Sequence, residues 1–276
     1  MLMPILNQGR VPSLLFVPGD RPERFGKALS SGARAVIVDL EDAVAPGAKE
    51  HARTVVSSWA SAGHPVMLRV NGIGTPWFAD DLALRELPGI AGMVLPKTES
   101  ADDIAQVTRG GGRHIDVYPL IETAAGMSNI REIASTSGVK RLLFGTLDFQ
   151  VDMNIDGDAE ELDAFRASLV LASKVAGIGA PIDGVTPAID DSERLVRDAL
   201  NSKRRGFAGK LCIHPKQVSI VNEVFEPSPA ELDWARRVLA VVAESRDAVV
   251  SMDGKMVDRP VVLKAEQILA TIRGDR

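Results

Sequence analysis

A single cysteine and four histidines in 276 residues leave few ligands for a soft-metal centre. Cys212 has no partner for an internal disulfide, and its apolar neighbours Leu211 and Ile213 mark a buried structural thiol rather than a nucleophile. No histidine stands in a metal-ligand spacing, which argues against zinc; His214, in Cys-Ile-His-Pro, reads as a satisfied structural side chain. The chain also lacks a basic block, and its net charge of −5 argues against nucleic acid as the main partner. Its apolar runs fall well short of a membrane span. The opening Met1-Leu-Met-Pro-Ile-Leu has neither the basic flank nor the long apolar core of a secretion signal, so the expectation is a soluble cytoplasmic protein. There is no Gly-rich dinucleotide fingerprint after the first apolar run, which continues Val17-Pro-Gly-Asp20.

What is present is a 45% hydrophobic chain, enough for a full core, with apolar runs at a regular interval. The runs centre near Leu15, Ile37, Leu68, Val94, Pro119, Leu143, Ile182 and Leu211, mostly 22 to 31 residues apart. That step accommodates a strand, a loop and a three-turn helix. Eight such units predict a (β/α)8 TIM barrel over residues 1–227. The longer step between Leu143 and Ile182 leaves room for an extra loop around Met153–Ala159. Leu162, Phe165, Leu169, Ala172 and Ala176 share one helical face, and Ala101–Arg109 reads as a short polar helix stopped by three glycines. A C-terminal helical extension follows over 228–276. Ser228-Pro-Ala-Glu231 is a capping box, a turn-rich connector runs from Met252 to Pro260, and a last helix carries Val261, Ala265, Ile268 and Ile272 on one side. Neither tail helix is needed to close a barrel, so the extension is expected to pack on a neighbouring subunit.

Five of the runs end in ionisable residues, at the strand ends where parallel α/β folds build their sites. Asp39, Glu41 and Asp42 follow the second run, Arg69 the third, Lys97 the fourth, Glu122 the fifth and Asp148 the sixth. Glu122 and Asp148 come from units that neighbour each other in a barrel. Two carboxylates plus waters are a usual way to hold Mg²⁺; a general acid/base pair or helix caps are the other uses of such residues. Glu41 and Asp42 are placed behind the metal, or in a solvated loop. Arg69 suits bidentate binding of a carboxylate, or an internal salt bridge to Asp39 or Glu41. Lys97 is an inward cation better placed for an ion pair than for a Schiff base.

In order and context these stretches resemble the citrate lyase β subunit and malyl-CoA lyase family, within the HpcH/HpaI-type aldolases of the phosphoenolpyruvate/pyruvate superfamily. The matching segments are Leu14–Gly19, Val38-Asp-Leu-Glu-Asp-Ala-Val44 with Pro46 and Lys49, Arg69-Val-Asn71 and Leu95-Pro-Lys97. Further matches are Ile121-Glu122 with Gly126, Phe144-Gly145 with Asp148, Gly209–Pro215 and Asp253–Pro260. The resemblance implies a Mg²⁺-dependent carbon–carbon lyase that cleaves or forms a citryl-, malyl- or citramalyl-CoA, and assembly into trimers or hexamers. Glu122 and Asp148 would then ligate the metal, Arg69 and Lys97 would bind the keto acid half, and Glu41 and Asp42 would stand behind them. Asp258 matches an acidic residue that reaches a neighbouring subunit's site as acid/base; read from the residues alone, it is a helix cap. The family often has Arg-Ser before its first strand where this chain has Pro12-Ser13, which leaves Arg10 and Arg24 as the cations nearest the expected CoA contact. A thioesterase, a keto-acid aldolase, or a subunit active only in an acyl-carrier assembly are the alternatives.

Overall fold

The computed structural model describes residues 11–244 and 249–273. Contacts divide the chain into two units, Met1–Phe225 and Glu226–Arg276. The first is a closed barrel of eight parallel strands in sequence order: β1 (Ser13–Pro18), β2 (Ala35–Asp39), β3 (Val66–Arg69), β4 (Ile90–Leu95), β5 (Val117–Ile121), β6 (Leu143–Phe144), β7 (Ile182–Asp183) and β8 (Gly209–Cys212). β8 pairs with β1 through Ser13 and Lys210, so no edge is left open. Each predicted run lies in one of these strands. Helices α1 (Pro22–Leu29), α2 (Lys49–Ser61), α3 (Phe78–Ala83), α4 (Ala101–Thr108), α5 (Ala124–Ser128), α6 (Ile130–Ser135), α7 (Thr146–Met153), α8 (Asp163–Ala176), α9 (Ser192–Arg205) and α10 (Pro215–Phe225) lie between and after the strands.

Side chains alternate across each strand, and the two faces bury different sets. Leu14, Ile37, Met67, Val94, Leu120, Leu143, Ile182 and Leu211 fill the barrel interior. Leu15, Val38, Leu68, Met93, Ile121, Phe144 and Cys212 face the helices and join their apolar sides in the larger core. The same alternation, carried to the strand ends, turns Phe16, Asp39, Arg69 and Glu122 inward. It turns Asp183 and Lys210 outward, where Arg166 of α8 donates to Asp183 at 3.1 Å and Ser202 of α9 also bonds it. Asp183 thus holds two helices to the barrel, while Lys210 donates to the Gly184 carbonyl just after β7.

The long step after β6 contains more than the expected loop. It begins with α7, which ends at Asn154 in the left-handed region (φ 52°), and continues through a single 3₁₀ turn into α8.

The second unit consists of α11 (Pro229–Glu244), a hairpin of β9 (Val250–Met252) and β10 (Lys255–Val257), and α12 (Arg259–Arg273). The capping box at Ser228 and Glu231 forms as expected. The connector from Met252 to Pro260 needs correction: most of it is this hairpin. Asp253 and Gly254 both take positive φ (53° and 72°), the backbone that a two-residue hairpin turn requires and that Asp-Gly favours. Among the described residues no helix is long and apolar enough to cross a membrane.

Candidate functional site

The inward strand-end charges meet at the carboxyl mouth of the barrel. Asp39, fully buried, accepts both Nε (2.7 Å) and Nη2 (2.6 Å) of Arg69, a fork-on-fork pair between β2 and β3. The remaining Nη1 lies 3.0 Å from Glu41 Oε2 and 3.9 Å from Asp42 Oδ2. Arg69 therefore presents one edge, not its whole fork, to any incoming carboxylate. Its internal pairing with Asp39, one of the two uses legible in the sequence, takes the other edge.

Glu41 is bracketed by two cations, Arg69 and Lys97, whose Nζ is 2.9 Å from Oε1. Burial raises the Glu41 pKa above its ordinary value, and the two cations oppose that rise. Asp42, one residue on, keeps 61% of its side chain exposed and stands at the rim. Lys97 reaches its place through an unusual backbone: it is one of three non-glycine residues with positive φ (47°) among those described. That turn aims its N–H at Glu122 Oε1 (2.8 Å) while its ammonium serves Glu41, so one residue spans two carboxylates.

Glu122 directly follows β5 and is 1% exposed. It is not a helix cap, because Thr123 caps α5 by accepting from the Gly126 N–H. Its pKa is pushed up to about 8, first by burial and then by the charges of Glu41 and Asp148. Asp148 lies in the first turn of α7, half-buried, and its carboxylate has no hydrogen-bond or ion-pair partner among the described residues. It does not cap α7 either. One turn further on, Asp152 Oδ2 accepts from the N–H of Ala124 at 2.6 Å, tying α7 to the start of α5. Gly145, between β6 and α7, makes room for Glu122: a Cβ there would lie 2.4 Å from Glu122 Oε2.

Two cavities open here. One of about 170 Å³ is lined by Phe16, Arg69, Glu122, Thr146, Asp148 and Leu211. The other, about 590 Å³, lies over the loops after β2, β3 and β4, with Glu41, Pro46, Lys49, Asn71, Trp77 and Lys97 among its walls. Asp42 lines both. No group of three or more His, Cys, Asp or Glu side chains converges as a metal cage among the described residues.

Arg24, Arg10, Asp258, His214 and Cys212 complete the set of residues singled out in the sequence. Arg24, on α1, is exposed, pairs loosely with Glu23 at 3.9 Å and lines neither cavity; Arg10 lies outside the described residues. Asp258 belongs to the second unit and caps α12, its Oδ1 accepting from Val261 N at 3.4 Å. His214 Nδ1 accepts from the Lys216 N–H in the turn before α10, and burial pushes the Cys212 thiol up to about 12, an inert group. Sequence reasoning missed the fitted glycine at 145 and the left-handed turn at 97. For Gly145 the only signal was its place in the Phe144-Gly145 match ahead of Asp148; for Lys97 there was none.

The model of the HpcH/HpaI aldolase/citrate lyase family matches residues 12–215, about three quarters of the chain. The chain belongs to this family. Family members similar to it include a citrate lyase subunit beta-like protein of Deinococcus radiodurans, 37% identical over 276 residues, covering 94% of this chain and 96% of the relative. A (3S)-malyl-CoA thioesterase of Cereibacter sphaeroides is 34% identical, covering 94% and 93%. Among solved structures, the CitE protein of Mycobacterium tuberculosis in complex with magnesium, acetoacetate and coenzyme A superposes with a TM-score of 0.84 at 33% identity, covering 95% of this chain and 98% of that one.

Proposed function

We propose that this protein is a Mg²⁺-dependent carbon–carbon lyase that cleaves or forms a β-hydroxyacyl-CoA by a retro-Claisen reaction. The observation that carries the reading is the pair Glu122 and Asp148 at the mouth: Glu122 is buried with the charges of Glu41 and Asp148 facing it and no cation paired to its carboxylate, and Asp148 has no partner among the described residues. A buried cluster of this sign fits a hard divalent cation. Two carboxylates with open space beside them suit Mg²⁺, which keeps several waters and needs no protein cage. Family members crystallised with magnesium and keto acids support the same reading.

Glu122 and Asp148 would hold the ion. Bound there, Mg²⁺ supplies Lewis acidity, which lowers the pKa of a substrate hydroxyl and offsets charge on the keto acid. The edge of Arg69 not taken by Asp39, which also faces Glu41, orients the keto acid's carboxylate, and Lys97 adds a second positive charge beside it. Cleavage then needs loss of the hydroxyl proton, passage of the C–C bond pair to the thioester's α-carbon, and protonation of that carbon. Asp258, from the tail of a neighbouring subunit in a trimer or hexamer, is our candidate for the acid. Glu41 and Asp42 stand behind the metal, with Glu41 fixing Lys97. The larger cavity gives room for the thioester arm, and exposed Arg24 is available to its phosphates.

Asp148→Ala is expected to fold normally and to lose Mg²⁺-dependent turnover of citramalyl-, malyl- or citryl-CoA by more than about 100-fold. Calorimetric titration with Mg²⁺ provides the direct check: unchanged affinity would falsify the ligand assignment. Mixing subunits tests Asp258. Co-assembled Arg69→Ala and Asp258→Ala proteins should regain activity that neither has alone, and absence of recovery refutes the cross-subunit role.

A second reading, hydrolysis of the thioester, is favoured by the malyl-CoA thioesterase relatives. Product analysis separates the two, since a lyase releases keto acid and a shorter acyl-CoA, whereas a thioesterase releases free CoA thiol. Turnover by the isolated chain would exclude dependence on an acyl-carrier assembly.

A further inference from the structure

Lys49 opens α2, yet it is 5% exposed and its ammonium is aimed back beneath the β2 exit. A cation at a helix N-terminus opposes the helix dipole, and burying an ammonium is costly. Neither helix formation nor packing asks for a charge at this position. Its partners do. Nζ donates to the carbonyl of Leu40 and to that of Glu41, each at 2.7 Å, and sits 5.1 Å from the centre of the Trp77 ring.

These bonds complete a clamp on the main chain that carries Glu41. The Glu41 N–H donates to Asp39 Oδ1 at 2.8 Å, so both polar groups of its backbone are held by buried side chains. The Leu40 carbonyl takes a second donor, Asn71 Nδ2, at 3.0 Å. Asn71 is fixed in turn by Asp81, which is completely buried and receives Arg53 on its other oxygen at 3.2 Å. With its backbone pinned, the Glu41 side chain starts from a fixed point, and its carboxylate lies between Arg69 and Lys97.

We propose that Lys49 is a positioning residue that sets the Glu41 carboxylate between Arg69 and Lys97, and through it the charge facing Glu122. The inference rests on the reading of Glu122 and Asp148 as the metal site, and its test is built to fail separately from the lyase assignment. Four full-length proteins are compared: the unaltered chain, Lys49→Met, Glu41→Gln and the double variant. With Mg²⁺ alone in a calorimeter, loss of a nearby positive charge would by itself tighten binding, whereas displacement of Glu41 weakens it. Lys49→Met is expected to weaken Mg²⁺ binding, and to do so no further in the Glu41→Gln background. Tighter binding, or effects that multiply in the double variant, would overturn the proposal.

With a CoA thioester that is turned over, kcat of Lys49→Met should fall about 10- to 100-fold with little change in KM, the signature of a misplaced group. An unchanged kcat counts against the role. Should Lys49→Met not fold, Lys49→Gln, which keeps a donor, takes its place, and a crystal structure decides. Glu41 moved off Arg69 or Lys97 supports the role, and Glu41 unmoved refutes it. If no thioester is cleaved while the Mg²⁺ data behave as expected, the lyase reading fails and the positioning role stands.

Discussion

Glu122→Gln is expected to abolish Mg²⁺ binding and yet to make the metal-free protein more heat-stable at alkaline pH. Glu122 lies 1% exposed among Glu41 and Asp148, with a pKa pushed up to about 8 from an ordinary 4.5. A carboxyl whose folded pKa is raised favours the folded state below its unfolded pKa. That contribution is lost as pH climbs through the folded value. Metal-free protein should therefore lose stability between about pH 5 and pH 8, where Glu122 must ionise against its neighbours. Glutamine has the same shape, keeps an oxygen to accept the Lys97 N–H, and never ionises. In the presence of a chelator, its melting temperature should match that of the unaltered chain at about pH 4.5 and exceed it by several degrees at about pH 9. Added Mg²⁺ should stabilise the unaltered chain, increasingly so at higher pH, and leave Glu122→Gln untouched. Calorimetric melts across that range, with and without Mg²⁺, test both halves. An equal gain at all pH values would mean that the charge of Glu122 is not what strains the site. This is the form a stability cost takes when a carboxylate is kept for a cation.

Gly145→Ala is expected to damage the same site through shape alone. The position has ordinary negative φ (−88°), so alanine meets no backbone penalty there. Its methyl would instead lie 2.4 Å from Glu122 Oε2 and 2.6 Å from Glu122 Cβ. Because the closer contact continues back to Cβ, a simple swing of the carboxyl tip does not relieve it; the strand end or α7 must shift. We expect a loss of about 1–3 kcal/mol in stability, typical of an overpacked core. The accompanying fall in Mg²⁺ affinity should be tenfold or more, since Glu122 and Asp148 lie on either side of the displaced segment. Denaturant unfolding and Mg²⁺ titration of one variant measure both. If stability drops while Mg²⁺ affinity holds, the glycine serves the barrel and not the site.

The barrel was legible because its strands carry buried side chains on both faces, which writes most of them as continuous apolar runs; β7 and β8 carry an outward Asp183 and Lys210 within theirs. Even the two-residue strand β6 sits inside such a run, Leu142 to Phe144. The charges at the run ends were legible as a group, but their roles depended on a parity that only an inward residue fixes. Arg69 stands two residues after interior Met67, and Glu122 two after interior Leu120, so both face the mouth. Asp183 stands one residue after interior Ile182 and serves the helices instead. How Arg69 divides its two edges was hidden because Asp39 lies 30 residues away in sequence. The left-handed Lys97 was also hidden, since its conformation is imposed by partners brought from β2 and β5. The tail hairpin was a different kind of miss: Asp253-Gly254, flanked by alternating Val250, Met252, Lys255 and Val257, carries a local signal that outweighs the general turn character of the segment.

The bond from Asp152 to the Ala124 N–H sits at the far end of α7 from Asp148, and Ala124 is two residues past Glu122. Helix α7 is thus a short rigid arm pinned at both ends, to β6 at one and to the chain just after β5 at the other. The backbone positions of the two carboxylates are tied together by the scaffold, and the unpartnered Asp148 side chain supplies the remaining adjustment. An ion held there meets one carboxylate fixed by burial and one free to close on it. The chain beyond Met153 is tied back to the same helix, with Gln150 Nε2 donating to the Gly157 carbonyl at 2.7 Å.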